Sequence, residues 1–264
     1  MDYKNFIPTK LDELYEAYNY RAAAQILKTS SSTEYADLMY ALEKFSLSLE
    51  DIRKPGGNES DIPKRISALL RGKDWKEVRI KGDLIVTKMI GAVKGTKVKA
   101  EEDEDDDNEE TEAETVEKIE ELEKKGVKIE QITRKNFLDG HKVDYVKNRV
   151  AFDLEWNSKD QTFDRDLYAF RAFYECDLID VGVLLTRSAT LNPVFEKMGA
   201  LVDKSGKILT KKNGTPKLVK EKYGASTTWF GKLQYIIEAG RAGGCPILVF
   251  CITPKLITDL HTLE

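Results

Sequence analysis

An alternating pattern near the middle of the chain constrains the fold more than any other feature. Residues 150–157, VAFDLEWN, carry apolar side chains at even-numbered positions, whereas Asp153 and Glu155 stand at odd-numbered ones. Successive side chains of a β-strand point to opposite faces of the sheet. The pattern therefore predicts a strand with one apolar and one acidic face. Asp144, nine residues before Asp153, is far enough away to fold back beside the pair.

The three carboxylates have two interpretations. Converging acids repel one another, and a divalent cation is the simplest compensation for that repulsion. Acids on a half-exposed antiparallel strand can instead be solvated charges, which is the more common arrangement for this spacing alone. The apolar run LIDVGVLL, residues 178–185, predicts a buried strand nearby. Its presence places the acids on a central sheet and favours the metal site.

Length and composition are those of a globular chain. The 264 residues, 41% apolar and 33% charged, are enough for one large domain or one domain with a helical annex. No apolar run approaches the roughly 18 residues that span a membrane, and the polar start MDYKNFIPTK lacks the apolar segment of a signal peptide. The three cysteines show no CxxC spacing and, with two histidines, argue against a zinc site. We therefore expect a cytoplasmic location.

Charge is distributed unevenly along the chain. Residues 101–123 hold 15 acids and one lysine, whereas the remainder holds 41 basic and 31 acidic residues and carries about +10. Because so charged a run lacks the apolar groups needed for packing, residues 100–136 are predicted to be an acidic, partly disordered insertion. The basic remainder suits a polyanion such as nucleic acid, although lysine-rich surfaces are also common without one.

Helical and strand periodicities follow one another along the rest of the chain. Helices are predicted over residues 10–28, 34–47, 62–72, 164–175 and a stretch ending near Gly240. Strands are predicted over residues 74–90, with a hairpin at Gly82-Asp83, and over 178–186 and 246–252; a second hairpin is predicted at Lys212-Asn213-Gly214. The succession predicts an α/β fold with a mixed central sheet flanked by helices.

Four segments carry a family resemblance. They read HKVDYVKNRVAFDLEWN, DLYAFRAFYECDLIDVGVLLTRS, KYGASTTW and AGRAGGCPILVFCIT. In this order they resemble the BglII/BstYI family of type II restriction endonucleases, members of the PD-(D/E)XK nuclease superfamily. A D-x8-D-x-E match alone recurs by chance, and the four ordered segments make the resemblance more specific. It covers most of residues 137–254, and the preceding helices resemble the family's helical start.

The resemblance implies a restriction-endonuclease-like core and a division of the chain. Residues 1–73 are an N-terminal helical segment packed on the core, 74–99 the first core strands, 100–136 the insertion, and 137–264 the catalytic nuclease core with DNA-recognition loops. The implied activity is Mg²⁺-dependent, sequence-specific cutting of both DNA strands at a short palindromic site by a homodimer. A cognate methyltransferase of the restriction-modification system would act on the same site.

The same resemblance assigns the acids. It implies that Asp144, Asp153 and Glu155 are catalytic and that these acids, with the Leu154 carbonyl, bind Mg²⁺, for which Mn²⁺ substitutes. Hard oxygen ligands of this kind suit both ions. Glu155 stands where the superfamily usually has lysine and resembles the Glu-x-Glu of BamHI, which favours a second ion; it either binds that ion or orients and deprotonates the attacking water. Lys159 is a candidate for the missing positive charge.

Polar residues beside the predicted site are candidates for contacts with the base edges or phosphates of DNA. They are Arg187, Ser188, Lys220, Lys222, Ser226, Thr227 and Thr228. Turn and capping chemistry is the alternative for the loop residues, and plain surface is the alternative for the lysines. Two other functions stay open: a noncatalytic DNA-binding protein, and a structure-selective repair nuclease on the same fold.

Overall fold

A computed structural model of the protein describes residues 3–55, 61–91, 119, 122–124, 126–203 and 205–263. Most of the predicted acidic insertion, including residues 100–118, lies outside the described residues. The chain divides into two compact units, Met1–Ile80 with His141–Glu264, and Lys81–Gly140. Within the described part, no helix is both long enough and apolar enough to cross a membrane.

Helices and strands have the following bounds. The helices are α1 (Thr9–Leu14), α2 (Ala23–Ser30), α3 (Ser32–Lys44), α4 (Leu49–Arg53), α5 (Asp61–Leu70), α6 (Thr162–Glu175), α7 (Asn192–Lys197), α8 (Val219–Lys222) and α9 (Phe230–Glu238). The strands are β1 (Tyr15–Tyr20), β2 (Lys76–Ile90), β3 (Lys128–Lys147), β4 (Val150–Glu155), β5 (Val181–Arg187) and β6 (Ile247–Ile252). Short 3-10 helices cover Tyr3–Phe6, Ala189–Leu191, Pro254–Leu256 and Leu260–Leu263.

The strands form one mixed sheet in the order β1-β6-β5-β4-β3-β2. β4, β5 and β6 run parallel to one another, whereas β1 and β3 run antiparallel to their neighbours β6 and β4. β5 and β6 are buried at every position, as expected of parallel strands covered on both faces. The predicted α/β fold, with a mixed central sheet flanked by helices, is confirmed.

The two faces of the sheet belong to separate hydrophobic cores. Phe152 packs in a core with residues of α1 to α5, whereas Ala151 packs in a core with residues of α6 and α9. Asp153 and Glu155 alternate in step with Ala151, so both acids lie on the α6 side of β4. The alternation in the sequence therefore sets which core faces the acids.

Gly182 on β5 lets α6 lie close to the sheet. A Cβ atom at this position would lie 2.4 Å from Cδ2 of Phe170 and 3.0 Å from Cδ1 of Ile247. Both distances are shorter than the optimal contact between carbon atoms. The absence of a side chain at Gly182 thus permits the approach of α6 to β5 and β6.

The predicted helix over residues 10–28 is wrong at its centre. The segment begins with α1 and ends with α2, but the strand β1 lies between them and pairs antiparallel with β6. Aromatic residues favour strands, and in the strand Tyr15 and Ala17 face one core whereas Tyr18 and Tyr20 face the other, so the segment lacks the one-sided alternation that would reveal a strand. Arg21 and Ala22, with φ of 51° and 59°, then turn the chain from β1 into α2.

The predicted hairpin at Gly82-Asp83 is also wrong, because β2 continues through both residues. In the unit of residues 81–140, Oδ1 of Asp83 accepts a hydrogen bond of 2.7 Å from the backbone N–H of Asn136. A Cβ atom at Gly82 would lie 3.4 Å from the Leu138 side chain. Both residues therefore face other strand residues instead of forming a turn. β3 begins at Lys128, so the end of the predicted insertion is a strand.

Other elements lie where the periodicity predicts them. α3, α6, β5 and β6 overlap the predicted segments within a few residues. At the second predicted hairpin, the N–H of Lys211 donates to the carbonyl of Thr215 at 2.7 Å, and Gly214 takes a φ of 82°. A left-handed glycine is what such a turn requires, and the prediction is confirmed.

Candidate active site

The hairpin between β3 and β4 brings Asp144 beside Asp153. At its turn Asn148 takes a φ of 46°, a left-handed conformation that asparagine tolerates better than most residues. The antiparallel register then places Tyr145 opposite Phe152. One position further on, the backbone N–H of Asp144 donates a hydrogen bond of 2.9 Å to Oδ1 of Asp153.

Asp153 and Glu155 are buried, whereas Asp144 is not. The exposed fractions of Asp153 and Glu155 are 5% and 8%, so the interpretation of these two acids as solvated charges is wrong. The Asp144 side chain is about half-exposed and its Oδ1 lies 3.1 Å from Nζ of Lys142, which also binds Glu77 at 2.6 Å. Asp144 therefore stands at the solvent edge of the group.

Asp166 joins the two buried acids from α6. Its exposed fraction is 2%, although the sequence pattern places it near a helix N-terminus, where an acid is expected to be solvated. One signal for its burial is present in the sequence: Asp166 lies three residues after Phe163 and four before Phe170, both fully buried, and therefore on the apolar stripe of the helix.

Burial raises the pKa of all three inward-facing acids. For Asp153, burial and then the negative charge of Asp166 raise the pKa well above its usual range, while the N–H of Asp144 opposes the shift. For Glu155, burial and the charge of Asp166 raise the pKa to about 8. Burial likewise raises the pKa of Asp166. Without a compensating cation, these side chains are driven toward protonation.

Arg165 contacts two of these three acids. Its Nη2 lies 2.8 Å from Oδ1 of Asp166 and 3.6 Å from Oε1 of Glu155. The remaining oxygens, Oε2 of Glu155 and Oδ2 of Asp166, are buried and have no hydrogen-bond partner among the described residues. Lys159, the cation considered from the sequence, is exposed and pairs through its backbone with Thr227.

The donor set fits a hard divalent cation. Carboxylate oxygens are preferred ligands of Mg²⁺, and two of them here are buried without partners. The carbonyl of Leu154 belongs to the residue between Asp153 and Glu155, as predicted for a further ligand. Across the described ranges, however, no group of three or more His, Cys, Asp or Glu side chains is already arranged as a metal cage. The acids therefore match Mg²⁺ in chemistry, and Asp144 would have to turn inward to join them.

A family model described as restriction endonuclease BglII/BglIII matches residues 15–252. The chain belongs to this family. A comparison with curated proteins gives no match. The family match starts at the first residue of β1 and ends at the last residue of β6. It therefore includes the whole acidic group, and it makes this chain a nuclease that acts on DNA.

In this restriction endonuclease, the loop after β4 pairs with residues 226–228. The N–H of Thr228 donates to the carbonyl of Ser158 at 2.9 Å, and the N–H of Asp160 donates to the carbonyl of Ser226 at 3.2 Å. The predicted DNA-contact segment Ser226, Thr227 and Thr228 is thus held next to the strand that carries Asp153 and Glu155. Thr228 is fully buried, and its Oγ1 lacks a hydrogen-bond partner in the described part of the chain.

Arg187 ends β5 and lines a pocket of about 320 Å³. Its exposed fraction is 1%, and its guanidinium donates to three neutral acceptors, the Tyr223 carbonyl (3.0 Å), Thr227 Oγ1 (2.8 Å) and Asn192 Oδ1 (3.3 Å). Burial lowers the pKa of Arg187 to about 10. The exposed Lys220 lines the same pocket, which gives this part of the nuclease a positive character.

Two other predicted DNA contacts have internal partners in this restriction endonuclease. Oγ of Ser188 donates to Oε2 of Glu16 at 2.7 Å and accepts from the N–H of Thr190, which is capping chemistry. Nζ of Lys222 donates to the carbonyls of Ile52 (3.2 Å) and Lys54 (2.5 Å), and burial lowers its pKa to about 8. Both side chains bind other parts of the fold in this structure; Ser188 is buried and Lys222 is half-buried.

Proposed function

We propose that this chain is a type II restriction endonuclease that cuts both strands of a short palindromic DNA site by Mg²⁺-dependent hydrolysis. The observation that carries the proposal is the burial of Asp153 and Glu155 on β4, next to Asp144, whose backbone N–H binds Asp153, within a chain whose family match spans residues 15–252. Alternating acids at the end of a buried strand supply what phosphodiester hydrolysis needs: ligands for a divalent cation and a proton acceptor.

Each acid has a distinct part in this proposal. Mg²⁺, when bound, would neutralise charge on the scissile phosphate and make its bound water more acidic. Asp144, Asp153 and the Leu154 carbonyl would hold the ion. Glu155 would either bind a second ion or orient the attacking water and accept its proton.

DNA contacts are proposed on one side of the acidic group. Arg187 and Lys220 offer positive charge at the pocket, and Ser226 offers a hydroxyl group close to the strand of the acids. Thr228 is buried, and the Thr227 hydroxyl group is bound to Arg187 and to the Gly224 carbonyl, so these two threonines would need to change partners to contact DNA. Phosphate contacts of this kind position a protein on the duplex, and base-edge contacts read its sequence. A two-fold dimer would match the symmetry of a palindromic site and place one set of acids on each strand.

The test is digestion of unmethylated phage DNA by the purified protein in Mg²⁺, alongside EDTA and the Asp153→Ala variant. Discrete bands that vanish in both controls, with identical ends on sequencing, would establish a metal-dependent, site-specific endonuclease. Sedimentation of the protein with a duplex containing the site would show two chains per duplex. Intact DNA with binding retained would indicate a noncatalytic DNA-binding protein, and cutting confined to branched or damaged DNA would indicate a repair nuclease.

A further inference from the structure

We propose that Asp166 is a further ligand of the metal centre, so that the centre takes a carboxylate oxygen from α6 as well as from the β3–β4 hairpin. The inference rests on the proposed function, because it concerns the same cation. It adds to the centre a residue that is absent from the D-x8-D-x-E spacing of Asp144, Asp153 and Glu155.

The position of Asp166 is unusual for a carboxylate. It lies on the face of α6 whose other members, Phe163, Leu167 and Phe170, are fully buried in the core between α6 and the sheet. A buried charge is unfavourable unless it is paired or binds a metal. Packing alone would be served by an apolar side chain, so the carboxylate at Asp166 requires a partner.

Arg165 supplies a partner for only half of this carboxylate. Its Nε and Nη2 both donate to Oδ1 of Asp166, at 3.0 and 2.8 Å. The same arginine reaches Oε1 of Glu155 at 3.6 Å. Its side chain is 72% exposed, so it covers the acids from the solvent side. On the inner side, Oδ2 of Asp166 and Oε2 of Glu155 both lack a hydrogen-bond partner within the described ranges.

Oδ2 of Asp166 and Oε2 of Glu155 come from two different elements and are free to bind a cation. A Mg²⁺ or Mn²⁺ ion accepts several oxygen ligands and would satisfy both oxygens together. In a purely structural role, Asp166 would pair with Arg165 through Oδ1 and share a proton with the Glu155 carboxyl group, and a bound divalent cation would take the place of that proton. The geometry therefore favours the metal over the ion pair as the reason for the carboxylate.

The experiment measures Mn²⁺ binding without DNA, by electron paramagnetic resonance of free Mn²⁺ and by calorimetry. Asp166→Asn keeps the shape of the side chain and removes its charge. We expect it to weaken Mn²⁺ binding at least about tenfold and to reduce the rise in Tm that Mn²⁺ causes. Asp164→Asn is the matched control, because this acid lies in the first turn of the same helix and is exposed; it should bind Mn²⁺ like the parent chain.

Arg165→Ala separates the two roles. If Asp166 serves only the ion pair, removing Arg165 should lower the affinity for Mn²⁺ as much as Asp166→Asn does, and that result would overturn the proposal. If Asp166 is a ligand, removing a competing positive charge should leave the affinity unchanged or raise it. Should the Asn variant fail to fold, Asp166→Ala replaces it, since alanine is the best helix former and needs no partner.

Background binding is measured on Asp153→Asn, because the 15 acids of residues 101–123 also attract Mn²⁺. A parent chain that binds no more tightly than Asp153→Asn would contradict the proposed function itself. A parent chain that binds more tightly, together with an Asp166→Asn variant of equal affinity, would remove Asp166 from the centre and leave the proposed function intact.

Discussion

The backbone N–H of Asp144 donates a hydrogen bond of 2.9 Å to the Oδ1 atom of Asp153. This bond joins the two strands of the β3–β4 hairpin at the point where both acids stand. The orientation of the Asp153 carboxylate is therefore set by strand pairing, and a site built on strands is held more rigidly than one built on loops.

Asp153→Asn is expected to lower DNA cleavage at least about a thousandfold, roughly 4 kcal/mol in the barrier, because it removes a charged metal ligand. The metal-free fold should be as stable as the parent or more stable, since the amide oxygen still accepts from Asp144 and the raised pKa of Asp153 already favours the uncharged carboxyl group in the parent. Single-turnover cleavage and urea unfolding in EDTA measure the two effects, with Asp164→Asn as the control. Activity within tenfold of the parent would rule out the assigned role.

Without metal, the free energy of unfolding should depend on whether Glu155 is protonated. Its pKa is raised from 4.5 to about 8, first by burial and then by the charge of Asp166. The stability that comes from burying the protonated Glu155 side chain is then fully present below pH 4.5 and is lost as the pH rises through about 8. Each pKa unit corresponds to about 1.4 kcal/mol, so the loss amounts to a few kcal/mol.

The measurement is urea unfolding in EDTA at several pH values across this window, for the parent chain and for Glu155→Gln. The free energy of unfolding of the parent should fall more steeply with rising pH than that of the variant. Saturating Mg²⁺ should diminish the difference, because metal binding favours the deprotonated acid. Parallel slopes for the two proteins in EDTA would show that Glu155 does not titrate in this range.

Lys220 and Lys222 should behave differently when replaced by alanine. Lys220 is exposed at the Arg187 pocket, so its loss should weaken binding to all DNA sequences alike and reduce the salt dependence by about one phosphate contact, leaving stability unchanged. Lys222 holds two carbonyls near α4. Its loss should cost about 1–3 kcal/mol of stability without changing the salt dependence.

Fluorescence anisotropy at several salt concentrations and thermal unfolding give the required comparison for the two lysine variants. A selective loss of binding at one base pair would contradict the phosphate role of Lys220. An unchanged melting temperature for Lys222→Ala would contradict the structural role of that lysine.

Gly182→Ala should destabilise the protein by about 1–3 kcal/mol, the usual effect of overpacking a core. The added methyl group would lie 2.4 Å from Phe170 and would push α6, with Asp166, away from β4. The melting temperature and the affinity for Mn²⁺ should therefore both fall. Gly91→Ala is the control, since no described atom lies within 4 Å of the added carbon there; an equal effect at both positions would refute the packing argument.

The sequence predicts those elements in which the spacing of apolar residues along the chain matches the faces that become buried. β4 is recognisable from its alternation of apolar and acidic residues, and β5 and β6 from their apolar runs, because both faces of β5 and β6 lie against apolar cores. β1 escapes prediction, because its apolar side chains are divided between both faces and only pairing with β6 selects the strand.

The partners of polar side chains depend on segments far away in the chain. Ser188 meets Glu16, 172 residues away, and Lys222 meets Ile52, 170 residues away. No local pattern contains such contacts, so a serine or lysine in a basic stretch is indistinguishable from a DNA contact. Asp166 is predictable only in part. Its position on the apolar stripe of the helix indicates burial, but its proximity to Glu155 depends on how the helix packs on the sheet.

Strand β4 assigns consecutive residues to opposite cores, Phe152 to one and Ala151 to the other. Deletion or insertion of a single residue within Val150–Glu155 would exchange the two faces of the strand. The acids would then be forced against the helices α1 to α5, and the aromatic ring of Phe152 would take the place of a carboxylate beside α6. A point substitution changes one side chain of this nuclease at a time, whereas a one-residue shift of β4 would disrupt both catalysis and core packing.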